Sequence, residues 1–237
     1  MWTRLQEVTK LYQGSPALSN VNAQITAGEV ILLAGPNGAG KTTVLRLLAG
    51  VTSPTLGRVL GRGGEAGSRE YRDRVGYLPQ RPRFYEHLTP VQWLAYLARL
   101  KALPSRLVPL RIAALVDDLG LKSVADEQIG RLSSGMRQRL SVASAFLNDP
   151  ELVLLDEPLT NLDLDASLTV IDWISTQVVN KACVIASHLL SPFENLAQRL
   201  WLLQEGVLKA DIAISAALAE VQGKIWQLRL PASSGSP

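Results

Sequence analysis

The stretch Gly35-Pro36-Asn37-Gly38-Ala39-Gly40-Lys41-Thr42-Thr43 decides how this chain is read. An apolar run, Val30-Ile31-Leu32-Leu33-Ala34, precedes it and reads as a buried strand. Val44-Leu45-Arg46-Leu47-Leu48-Ala49 follows and reads as the first turns of a helix. Strand, then G-x-x-x-x-G-K-[ST], then helix is the setting in which this pattern means a P-loop rather than a bare glycine-rich turn. Gly35, Gly38 and Gly40 let the backbone curl so that successive N–H groups point at phosphate oxygens. The helix opening near Lys41 aims the positive end of its dipole at the same place. Lys41 adds a mobile charge for the β- and γ-phosphates, and the Thr42 hydroxyl is suited to Mg²⁺.

A second apolar run, Leu152-Val153-Leu154-Leu155, ends in Asp156-Glu157-Pro158. An acid at the C-terminal end of such a strand stands where doubly wound sheets bind ligands. Asp156 suits the water shell of Mg²⁺, which takes one or two carboxylates besides phosphates, and Glu157 can reach an attacking water. Ala182-Cys183-Val184-Ile185-Ala186 is a third buried run, followed by Ser187-His188. That strand is expected beside the Asp156 strand, with His188 at the same edge.

With 237 residues, 47% of them hydrophobic and 19% charged, the chain has a globular composition and length enough for a full core. No apolar run approaches the ~18 residues that span a bilayer, and the N-terminus lacks a signal-peptide order. The chain is therefore expected to be soluble by itself and to reach any membrane through a partner. A net charge of +3 is too small to argue for nucleic acid or lipid. The lone Cys183 in an apolar strand reads as a buried, inert thiol and fits a reducing cytoplasm. Arg69–Arg74 alternates sign and reads as a solvated face.

Residues 1–34 read as β structure, with runs near Leu5–Val8, Ala17–Ile25 and Glu29–Ala34. Tyr12 can stack on a purine or serve as a plain edge-strand aromatic. A short strand near Arg58–Leu60 follows the P-loop helix. Val75–Leu78 runs into Pro79-Gln80, whose amide oxygen can ligate Mg²⁺. From Thr89 the periodicity turns helical: one helix follows Thr89-Pro90, and a second covers Leu107–Leu119 and stops at Gly120. Residues of about 83–133 are thus a helical lobe inserted into the α/β core. Ser133-Ser134-Gly135 ahead of an amphipathic run is a helix N-terminus and a second potential phosphate-binding end. Asp163 caps a helix to about Val179. Arg199–Leu203 and Gly206–Lys209 read as a hairpin, Ala210–Val221 as helix, Ile225–Leu230 as a last strand and 231–237 as a loose tail.

Taken together, these residues resemble the ATP-binding cassette of ABC transporters over nearly the whole chain. The aromatic loop matches at Tyr12, Walker A at Gly35–Thr43 and the Q-loop at Gln80. The signature matches at Leu132–Met136, Walker B at Leu152–Asp156, the catalytic glutamate at Glu157, the D-loop at Leu159–Asp163 and the switch histidine at His188. The signature departs from Leu-Ser-Gly-Gly-Gln, with Ser134 in place of a glycine and Met136 in place of the glutamine. The D-loop carries Thr160-Asn161 where Ser-Ala is commoner.

The resemblance implies a P-loop NTPase core with a mainly parallel sheet, an N-terminal antiparallel part and the inserted helical lobe, in a single domain over 1–230. It implies ATP and Mg²⁺, with Thr42, Gln80 and Asp156 at the metal. Lys41, Gln80, Glu157 and His188 would be catalytic. Nucleotide would be held by Tyr12, by Gly35, Pro36, Asn37, Gly38, Ala39, Gly40, Lys41, Thr42 and Thr43, and by Ser133 and Gly135 of a second cassette, identical or different. The expected assembly is peripheral, on the inner face of the cell membrane, through a transmembrane permease. A lone cassette with this short C-terminal extension is similar to those driving exporters. Two other readings stay open at this stage: a soluble cassette ATPase acting on nucleic acid or ribosomes, and a small-molecule P-loop kinase. The first resembles chains with two cassettes or a long coiled-coil insert, neither of which is visible here. The second has no use for Ser133–Gly135, Asp163 or His188.

Overall fold

The computed structural model describes residues 1–221, with side-chain surroundings given to residue 217. The expected strand at Ile225–Leu230 and the tail at 231–237 lie outside the described residues. The chain opens with a hairpin, β1 (Thr3–Tyr12) and β2 (Ser15–Ile25), then β3 (Val30–Ala34) and α1 (Lys41–Leu48). Next come β4 (Leu56–Gly61), β5 (Gly64–Glu65), the single-turn α2 (Arg69–Arg72) and β6 (Val75–Leu78). The elements from there to β7 are helical: α3 (Pro90–Leu100), α4 (Val108–Asp118) and α5 (Ser134–Phe146), with two short 3₁₀ turns before α5. The chain then runs through β7 (Leu152–Asp156), α6 (Leu164–Gln177), β8 (Ala182–Ala186), a 3₁₀ turn, β9 (Arg199–Gln204), β10 (Val207–Ala213) and α7 (Ile214–Val221).

A six-stranded sheet in the order β10-β9-β3-β8-β7-β6 forms the centre, with β10 alone antiparallel to its neighbour. Every residue of β3, β7 and β8 is buried, as their unbroken apolar runs require of parallel strands covered on both faces. Alternation along these strands feeds two separate cores. Leu32, Val153, Leu155, Cys183 and Ile185 face the helices α3–α6. Ile31, Leu33, Leu152, Leu154 and Val184 face α1 and the four-stranded antiparallel sheet β2-β1-β4-β5. The N-terminus is anchored in this second core by Trp2, which is buried edge-on to Tyr71 at 5.4 Å.

Helix starts follow local chemistry. Thr89 and Gln92 form a reciprocal capping box ahead of α3, Ser133 caps α5, and Asp163 caps α6 by accepting from the Ala166 N–H at 2.8 Å. Two sequence expectations need correction. Residues 210–213 are strand, not helix: Ala210–Ala213 pair with Leu202–Arg199, and Asp211 takes both forks of Arg199 at 2.5 and 3.0 Å. That long-range pairing overrides the helical leaning of an alanine-rich segment. Arg69–Arg74 is largely solvent-facing as expected, with ion pairs Arg69–Asp73 and Arg74–Glu70, except that Tyr71 turns inward and donates to the Leu48 carbonyl at 2.7 Å.

Gly76 on β6 lies against α5, where an added Cβ would run into the Ala145 carbonyl oxygen. Gly76→Ala is expected to cost about 2 kcal/mol or more by overpacking, read as a lowered urea midpoint. An unchanged midpoint would show that β6 and α5 can separate freely.

Candidate functional site

The P-loop leaves β3 and folds tightly against its neighbours. A Cβ at Gly35 (φ 150°) would strike the Leu203 carbonyl, and one at Gly40 (φ 106°) would come 2.7 Å from the Ala17 carbonyl. Only glycine fits this approach. Helix α1 starts at Lys41, and its first return bond runs from the Val44 N–H to the Gly40 carbonyl at 3.0 Å. The N–H groups of Lys41, Thr42 and Thr43 find no acceptor among the described residues, which is the usual condition of a helix start awaiting an anion. The Lys41 ammonium is nearly buried and donates to the Gly35 carbonyl at 2.6 Å and to that of Pro36 at 3.2 Å.

A cavity of about 430 Å³ opens over this loop. Asn37, Gly38, Ala39, Gly40, Lys41, Thr42 and Thr43 line it, with Tyr12, Gln80, Asp156 and Glu157. Tyr12 is 41% exposed at the end of β1, with the Lys10 ammonium 5.2 Å from its ring centre. A larger polar groove, about 830 Å³, crosses the antiparallel sheet near Arg4, Asn22 and Arg58, but none of the candidate residues line it. Chemistry rather than volume therefore picks out the site.

Asp156 ends β7 at 1% exposure, and its Oδ2 has no hydrogen-bond partner. Burial raises its pKa, Glu157 adds to that, and the Thr42 hydroxyl with Arg46 and Lys41 opposes it. A buried, unpaired carboxylate oxygen beside a threonine hydroxyl and an exposed glutamine is a donor set that fits Mg²⁺. No cluster of three or more His, Cys, Asp or Glu exists among the described residues. Tyr77, on the same sheet face, also has a buried hydroxyl without a partner, and burial pushes its pKa up to about 12.

Glu157 sits in left-handed backbone, φ 52°, which is strained for a side chain of its kind. Its N–H donates to the Ala186 carbonyl at 2.8 Å. The His188 N–H donates to Oε1 at 3.0 Å, while His188 Nδ1 lies 2.7 Å and Ser187 Oγ 3.5 Å from Oε2. His188 thus joins the site through Glu157. Gln138, which the sequence reading passed over, is buried on α5 and donates to the carbonyls of Glu157 (3.3 Å) and Pro158 (2.9 Å). A polar residue on the buried stripe of an amphipathic helix was the available signal.

Ser133 and Gly135 do not line this cavity. They stand at the start of α5, where the Ser133 hydroxyl accepts from the Met136 N–H at 3.2 Å and Ser133 and Ser134 are exposed. Gly35 and Pro36 contribute the carbonyls that hold Lys41 rather than cavity wall.

The family model described as "ABC transporter" matches residues 18–160. The "Uncharacterized ABC transporter ATP-binding protein YxlF" of Bacillus subtilis (strain 168) is 34% identical over 85% of this chain and 68% of its own length. The "SkfA peptide export ATP-binding protein SkfE" of the same organism is 30% identical over 89% of each chain. Among the first curated relatives, the chain spans 62% to 68% of their length. A solved structure titled "Structure of ATP binding subunit of ABC transporter" superposes with a TM-score of 0.86 at 25% identity, over 94% of this chain and 95% of the other. Phosphate loop, strand-end acids and switch histidine meet in one site, and family and fold agree with them: the chain belongs to the ABC transporter family, as an ATP-binding cassette and ATPase.

Proposed function

We propose that this cassette powers a membrane exporter by pairing with a second cassette around two ATP molecules. The observation that carries this reading is that the nucleotide cavity is half a site. Its P-loop, Tyr12, Gln80, Asp156 and Glu157 approach from one side, while Ser133 and Gly135 of the same chain lie elsewhere. A triphosphate bound here leaves its outer face in water, and a partner's helix start supplies the missing donors. The relatives named for export, SkfE among them, support the direction.

In this mechanism Lys41 moves its ammonium from the Gly35 and Pro36 carbonyls to the β- and γ-phosphates. The free N–H groups at the start of α1 receive the same phosphates. Thr42, Asp156 and Gln80 would hold Mg²⁺, which would supply charge neutralisation at the phosphates when bound. Glu157 orients and polarises the attacking water. His188 exchanges its bond to Glu157 for one to the γ-phosphate, so that the carboxylate is released when ATP is in place. The described residues act as a single domain, and residues 83–133 form the lobe that carries closure to a permease. Among the described residues no helix is long and apolar enough to cross a membrane, so attachment to the inner face of the cell membrane falls to that partner. A groove of about 300 Å³ between β6, Pro79 and α3 is the docking place.

Glu157→Gln is expected to lower ATP turnover by ~10²-fold or more through loss of general-base help. The same variant should accumulate as an ATP-bound pair in size-exclusion chromatography. A variant that stays single at saturating ATP rejects the paired site, and turnover within threefold of the parent rejects Glu157 as base.

Asp156→Asn separates metal binding from folding. The nucleotide-free variant should melt at the same or a higher temperature, because an unpaired buried carboxylate costs on the order of 1 kcal/mol. The added stability that Mg²⁺ gives with ATP should disappear. A large loss of stability without nucleotide would assign Asp156 a structural role instead.

A further inference from the structure

Two buried atoms on the α1 face of the central sheet lack partners: the Tyr77 hydroxyl on β6 and Oδ2 of Asp156 at the end of β7. The strand register brings them together. Tyr77 pairs with Leu154 in the parallel ladder, and side chains alternate along a strand, so Asp156 follows two places on along the same face. Tyr77 and Leu154 both pack into the core beneath α1. Strand spacing and rise separate Tyr77 and Asp156 by about 8 Å at the backbone. Side chains that lean along the strand can close such a gap. Their nearness is also felt electrostatically: after burial, the charge of Asp156 is the next cause that holds the proton on Tyr77.

The two groups are chemically complementary. An ionised carboxylate only accepts, whereas a phenol donates and accepts. Arg46, one turn after Thr42 on α1, is a cation that both groups feel. A guanidinium has donors only, so Arg46 can give a bond to the tyrosine oxygen but cannot take its proton. That proton stays free for the carboxylate. Thr42 already supports Asp156 from the P-loop, and Tyr77 approaches it from β6. A buried hydroxyl without a partner is unfavourable, and phenylalanine would fill the same space without that cost. The hydroxyl therefore has a use beyond packing.

We infer that Tyr77 is a positioning residue for the metal carboxylate: its hydroxyl donates to Asp156, directly or through one water, and holds that side chain toward a divalent cation when cation and nucleotide occupy the site. This rests on the reading of Asp156 as a Mg²⁺ ligand and adds the group that orients it. Hydrogen bonds to a ligating side chain fix its orientation, and their removal costs about 10-fold or more in metal affinity.

The test compares the whole parent chain with Tyr77→Phe and Asp156→Asn. Mn²⁺ is the probe, titrated by electron paramagnetic resonance in the presence of a saturating non-hydrolysable ATP analogue. Tyr77→Phe keeps the ring and should weaken Mn²⁺ binding about 10-fold. Its affinity for the analogue without metal should be unchanged. Its urea midpoint without nucleotide should be the same or higher, because a buried hydroxyl without a partner has been removed. A lowered midpoint with parental Mn²⁺ affinity assigns the hydroxyl to the fold and overturns the inference. An equal loss of analogue binding without metal also overturns it, by placing the hydroxyl in the service of the nucleotide. Asp156→Asn keeps the two readings apart. If it abolishes Mn²⁺ binding while Tyr77→Phe binds as the parent does, the metal site stands and the role of Tyr77 falls. If Asp156→Asn itself binds Mn²⁺ like the parent, the metal reading of Asp156 falls and takes the role of Tyr77 with it.

Discussion

A strand whose every side chain is buried can carry chemistry only at its ends. Strands β3, β7 and β8 are such strands, and their parallel register fixes what comes next to what. Leu33 pairs with Ala186, and Ala186 with Asp156. The P-loop after Ala34, the acids at 156 and 157, and Ser187-His188 therefore emerge side by side at one sheet edge. Distant segments of sequence meet because their strands are of equal length, five residues each, and end within one residue of each other in the register. The helix dipole of α1 points at the same edge, so cationic and acidic groups share a small volume without forming a closed ion-pair cluster.

The groups at that edge are held in unsatisfied states. Lys41 rests on two carbonyls, Asp156 keeps an oxygen unpaired, and Glu157 occupies left-handed backbone. Such strain persists only where the surroundings over-determine it. Here the Ala186 carbonyl fixes the Glu157 N–H, Gln138 grips the carbonyls of Glu157 and Pro158, and His188 with Ser187 brackets the carboxylate. The parts that hold Glu157 come from α5 and from the end of β8. The helix whose start bears Ser133 is thus also the helix that holds the Glu157 turn of its own chain. A displacement of α5 on pairing would be felt directly at Glu157.

Much of this was legible in the sequence because it is local. The P-loop, the buried strands and the caps at Thr89, Ser133 and Asp163 each depend on residues within a few positions. What the sequence concealed depends on partners far along the chain. Ala210–Ala213 look helical until β9 claims them. Tyr71 looks like part of a charged surface until the Leu48 carbonyl and Trp2 are brought to it. Gln138 gains its meaning only from a strained turn 19 residues away.

The departures of the signature from its usual form also acquire a physical sense. Position 135 keeps glycine, and an added Cβ there would sit 3.1 Å from the carbonyl of Asn161, itself in left-handed backbone at φ 63°. Position 134, the first residue of α5, is exposed, so a serine side chain meets no wall within its own copy. Met136 turns partly inward against the core and asks for no hydrogen-bond partner there. The chain thus retains glycine where its own turn crowds the helix start and departs from the pattern where the surroundings leave room. Under the proposed pairing, any cost of Ser134 would arise at the face presented to a partner's nucleotide. An added hydroxyl at a helix start can also donate to an anion, so crowding and an extra bond act at the same atom and in opposite directions.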